Sequence, residues 1–78
     1  MGIYNMVAEE AEAFEEMIYN QQFELIKREF GDEASANANY GWGVDETEDT
    51  ISISTKVYGH GVVTSVGNYN TGEITHDY

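Results

Sequence analysis

Cysteine and proline are absent from this sequence of 78 residues, and basic side chains nearly so: it holds only 3 Lys or Arg. Without cysteine there is no disulfide, no thiolate metal site and no cysteine nucleophile. A secreted domain this small usually depends on such cross-links, so their lack points to a cytoplasmic setting. No basic segment precedes an apolar run, as a signal peptide requires. No apolar stretch approaches the roughly 20 residues that span a bilayer. The shortage of cations has the widest consequence. Against them stand 15 Asp or Glu, a formal net charge of -12. Most carboxylates therefore have no cation to pair with inside the fold, and their mutual repulsion costs stability, more at low salt than at high. The same charge repels anionic lipid and nucleic-acid phosphate, so neither a membrane nor a nucleic acid is expected as a direct partner.

What is present argues for a folded chain despite that charge. It is 41% hydrophobic and 13% aromatic, whereas disordered acidic tails are poor in aromatic and β-branched residues. One domain over residues 1–78, with one modest core, is the expectation.

The composition changes near Gly31. The residues before it include no Thr, Ser or Trp and are rich in Ala, Glu, Met, Gln and Leu, which favour helices. Ile3, Val7, Ala11, Phe14, Ile18 and Leu25 recur at helical spacing, with Met17 widening the stripe. A second set (Tyr19, Phe23, Ile26 and Phe30) lies about 110–120° round the same helix. Either the helix is deeply buried toward its C-terminal end or it breaks near residues 20–22. The spacing predicts one helix over 4–30, ended by Gly31 in a left-handed conformation, with Lys27 and Arg28 in the last turn, where cations meet the helix dipole.

Beyond Gly31 the pattern alternates with a period of two. Tyr40, Trp42 and Val44 share one face, and Ile51, Ile53, Thr55 and Val57 share another, followed by runs at 62–67 and 73–78. The stretches 45–49, 59–61 and 68–72 between them carry turn residues. Short connections make neighbours antiparallel. The predicted fold is α+β: an N-terminal helix packed on a small antiparallel β-meander of three to four strands.

The acids are unevenly spread. Glu9, Glu12 and Glu16 lie opposite the main apolar stripe, with Glu10 and Glu15 flanking them. The row from Glu9 to Glu16 runs about 10 Å along a helix axis. Phosphates on one strand of a duplex recur every roughly 3.4 Å, a comparable scale. A solvated helix face is one reading of this row and a contact surface is the other. Favouring contact, the first 26 residues contain no Lys or Arg, although a face chosen for solubility usually mixes signs. Asp45, Glu46, Glu48 and Asp49 form a second cluster between the first two strands. A calcium loop of the EF-hand type starting at Asp45 needs Gly and Glu at its sixth and twelfth positions, where this chain has Thr50 and Lys56. That cluster reads as an acidic hairpin loop, solvated or docked on a basic partner. No metal site and no cofactor are expected.

His60 and His76 lie in separate elements, and no nucleophile elbow, phosphate-binding loop or dinucleotide fingerprint occurs, so nothing points to an enzyme. Trp42 is expected in the core. Tyr58 and Tyr69, outward or in a turn, either anchor a partner or complete the core.

A short chain with no cysteine, one acidic helix and a small antiparallel sheet resembles the phage-encoded inhibitors that imitate nucleic acid, anti-CRISPR proteins among them. Glu9, Glu10, Glu12, Glu15, Glu16 and the run from Asp45 to Asp49 carry the likeness. It implies an inhibitor working in the cytoplasm of a host cell. Its partner would be a basic nucleic-acid-binding protein or ribonucleoprotein complex, a CRISPR effector foremost, blocked by acidic mimicry of DNA. The alternative is an immunity-, antitoxin- or anti-restriction-type inhibitor docking on another basic nucleic-acid enzyme.

Overall fold

The structure, a computed structural model, describes residues 8–78. The expected start of the helix at residues 4–7, with Ile3 and Val7, lies outside the described residues. Helix α1 (Ala8–Phe30) is unbroken, with Glu9 and Glu10 in its first turn and Lys27 and Arg28 in its last, each matched to the dipole. Of the two alternatives for its C-terminal half, no break occurs, but burial of the second apolar set is partial: Ile26 is fully buried, Tyr19 and Phe30 are half-buried, and Phe23 is exposed. Met17, expected to widen the core stripe, is instead half exposed.

Gly31 ends α1 at a φ of 100°, a left-handed value that disfavours side chains, and its N–H donates to the Lys27 carbonyl at 3.0 Å. The chain then forms a short second helix, α2 (Asp32–Asn37), which the sequence pattern did not announce. Its Asp, Ser and Asn residues read as turn formers, yet they bond back along the turn. Ser35 Oγ donates to the Asp32 carbonyl and Asn37 Nδ2 to the Glu33 carbonyl, both at 2.9 Å.

Strands β1 (Asn39–Glu46), β2 (Thr50–Val57), β3 (Gly61–Asn68) and β4 (Ile74–Asp77) form an antiparallel meander in the order β1-β2-β3-β4. The fold is α+β, as the sequence pattern led us to expect. Ile51, Ile53, Thr55 and Val57 of β2, with Val63, Ser65 and Gly67 of β3, face α1. At Gly67 an added Cβ would stand 2.6 Å from Ile18 Cδ1 and 2.7 Å from Phe14 Cε2, so the missing side chain lets the helix settle on the sheet.

The core has two ends. Phe14, Ile18, Ile51, Ile53 and Tyr69 pack at one, and Leu25, Ile26, Val57 and Val63 at the other. Helix α1 therefore runs in the same sense as β2, along a Cα trace that extends 38 × 16 × 16 Å.

Strand β1 departs from the expected alternation. Its register against β2 slips between Asn39 and Gly43, a bulge that falls between Tyr40 and Val44 on this strand at the edge of the sheet. Tyr40 is half-buried; its ring lies 6.1 Å from that of Phe23 and its hydroxyl donates to the Ser35 carbonyl at 2.8 Å. Trp42 and Val44 are 58% and 51% exposed. Trp42 is a surface residue, not a core one.

Candidate partner-binding site

The direction of α1 carries Glu9, Glu10, Glu12, Glu15 and Glu16 to the end of the molecule where β1 turns into β2 and β3 into β4. Asp45 and Glu46 are the last residues of β1, and only 47–49 form the turn itself. Thr47 builds that turn: its N–H donates to the Thr50 carbonyl at 2.8 Å. Its Oγ1 accepts from the N–H groups of Asp49 and Thr50 at 3.3 and 3.0 Å. Asp45, Glu46, Glu48 and Asp49 are left exposed around it.

Tyr69 joins this hairpin to the helix. Its ring packs 5.6 Å from Phe14, its hydroxyl donates to Glu46 Oε2 at 2.7 Å, and its N–H donates to the Asp49 carbonyl at 2.8 Å. Asn70 Nδ2 adds a bond to Asp49 Oδ1 at 2.9 Å. Burial pushes the Tyr69 phenol far above its ordinary range, helped by the hydrogen bond and charge of Glu46 and by the charge of Glu15. Tyr69 thus joins the hairpin, through its bond to Glu46, to the helix, through its packing on Phe14. The helix row and the hairpin cluster, separate in sequence, form a single acidic pole.

Tyr69 is 3% exposed, so it is not the partner-facing anchor that its place in a turn suggested; it fastens the pole from inside. Glu15 is half-buried beside it and also raises the Tyr19 phenol, after burial itself. Glu9, Glu10, Glu12 and Glu16 are exposed. The structure adds Glu73, exposed in the β3–β4 connection, where its carbonyl accepts from the Asn68 N–H at 2.8 Å. Nothing in the sequence around this isolated acid marked it.

All 3 cations of the chain lie toward the opposite end. Lys27 and Arg28 close α1, and Lys56 stands opposite Asn39 and Val62. The salt bridges found among the described residues are there too, Lys27 to Asp32 at 4.0 Å and Arg28 to Glu29 at 3.7 Å. Tyr58 is 59% exposed, with Lys56 Nζ 5.9 Å from its ring centre. It belongs to this end, and the structure does not bring it to the acidic pole.

A serine–histidine pair escaped the sequence reading because its members are eleven positions apart on neighbouring strands. His76 Nε2 lies 3.1 Å from Gln21 Oε1, an acceptor, so Nε2 carries the proton. Nδ1 then accepts from the Ser65 hydroxyl at 2.6 Å. Burial, and secondarily Arg28, hold the His76 imidazole below its ordinary value. Ser65 is 0% exposed, so no substrate reaches its hydroxyl, and the pair works as a strut between α1 and the sheet. Among the described residues no three His, Asp or Glu converge as metal ligands, and no helix is long and apolar enough to cross a membrane.

Comparison with protein-family models, with curated proteins and with solved structures finds no match.

Proposed function

We propose that this protein is an inhibitor of the anti-CRISPR type, whose acidic pole occupies the basic nucleic-acid-binding surface of a CRISPR effector complex and keeps DNA out. One observation carries the reading: the acids of the first turns of α1 and those of the β1–β2 hairpin lie at one end, where Tyr69 links helix and hairpin, while every Lys and Arg of the chain lies toward the other. Charge serving solubility alone has no need of such segregation.

The mechanism is physical exclusion. A Lys/Arg groove that holds phosphates has a potential that accelerates encounter with any polyanion. The pole offers carboxylates on a rigid surface and no bond to cleave. Trp42 and Val44, exposed on the strand that ends in Asp45 and Glu46, supply apolar contact that DNA lacks and slow dissociation.

A competition titration tests this. Labelled target DNA is bound to a purified effector and the protein is added. Mimicry requires loss of the DNA signal and no ternary complex. A stable ternary complex with activity lost would instead mean docking beside the groove, and unchanged DNA affinity at saturation excludes that effector as the target.

A further inference from the structure

Among the described residues, the flank of α1 above β4 carries an exposed apolar surface around Met17. An open groove of about 600 Å³ runs there, lined among others by Met17, Leu25, Glu16, Glu24, Arg28 and His76. Met17 is 50% exposed although it continues the buried stripe of Phe14 and Ile18. The reason is topological. Helix α1 packs over β2 and β3, β4 is the last strand of the sheet, and no described strand lies beyond it to cover the helix's outer flank.

Among the described residues no strand pairs with the outer edge of β4, whose backbone N–H and C=O groups can pair with an added strand. A strand added there would send every second side chain toward α1, into the groove over Met17 and Leu25. Backbone pairing and a side-chain pocket therefore coincide at one place, as strand addition needs.

We propose that β4 and the bare flank of α1 form a strand-addition site that takes an extended, Lys- or Arg-bearing segment of a partner protein. Charge selects the occupant. Glu16 and Glu24 line the groove against one cation, Arg28, which also contacts Glu29 at 3.7 Å, so carboxylates outnumber cations there. An inward Lys or Arg lays its aliphatic stem on Met17 and reaches these carboxylates with its head. A second copy of this chain fits poorly, because pairing two edges brings two net charges of -12 together. The site shares Glu16 with the acidic pole but otherwise lies away from the acids around the hairpin, and it stands whether or not the target of that pole is a nucleic-acid enzyme.

The probe is a blocked peptide of alternating valine and lysine, titrated into the full chain. Amide hydrogen exchange and the NMR signal of the Met17 methyl group are followed together. We expect slowed exchange at β4, a shifted Met17 methyl, and affinity reduced about tenfold or more by M17K, by N-methylation of alternate peptide amides, or by glutamate in place of lysine. Met17 is half exposed, so M17K keeps the fold, which circular dichroism checks. Three results would each overturn the proposal: equal binding of the N-methylated peptide, changes confined to Glu9–Glu12 and residues 45–49, or β4 amides already protected in the free protein. None of these bears on whether the acidic pole displaces DNA.

Discussion

Gln22 is a polar side chain with no exposure, in the middle of the helix face that meets the sheet. Its Nε2 donates to the Ile53 carbonyl at 2.7 Å, and its Oε1 accepts from the Thr55 hydroxyl at 2.6 Å. Thr55 Oγ1 in turn accepts from the Gly41 N–H at 3.3 Å, inside the β1 bulge. One amide thus ties α1 to β2 and, through Thr55, to the irregular strand. Q22L would leave the Thr55 hydroxyl and the Ile53 carbonyl without it, and we expect a loss of about 1–3 kcal/mol in urea unfolding. Adding T55V should recover part of that loss, because a pair of apolar groups leaves less unmet. His76 gives a second test at this scale. Its folded value lies below the ordinary 6.5, so the folded state binds fewer protons than the unfolded one. The contribution is whole above the unfolded value and is lost as pH falls through the lowered folded one. Between about pH 7.5 and pH 5, wild type should therefore lose more Tm than H76Q.

At the scale of elements, the seat of α1 on the sheet depends on Gly67. G67V would drive a side chain into Phe14 and Ile18 and should cost about 1–3 kcal/mol by the same unfolding measurement, with the helical circular dichroism signal retained. Much of this layer was legible in the sequence. The helix, its stop at Gly31 and the alternation of β2 and β3 follow from local periodicity, which burial on one face enforces. What was not legible depends on contacts between distant segments. Tyr69 sits in a run of Asn, Thr and Gly that reads as a surface turn, and only the docking of that turn on Phe14 and Glu46 buries it. Trp42 alternates as a core residue would, but it lies within the register slip of an edge strand and is exposed. Met17 belongs to the stripe by spacing and is exposed because the sheet stops at β4.

Across the whole molecule the governing feature is where charge lies, more than how much there is. The acids were legible one by one, as a helix row and a hairpin cluster. Their union was not, because it requires α1 to run in the same sense as β2 and Tyr69 to pack on Phe14 of the helix while bonding Glu46 of the hairpin. Two variants separate position from quantity. Glu9, Glu12 and Glu16 changed to Gln removes three charges from the pole, and E29Q, D32N and E33Q remove three from the far end. The direct measurement is the concentration of each variant that displaces labelled DNA from an effector inhibited by the wild type, with folding verified by circular dichroism. We expect the pole variant to need about tenfold more protein or worse, and the far-end variant to match wild type. Equal weakening of both would mean that bulk charge acts without a pole, and would contradict the mechanism proposed here.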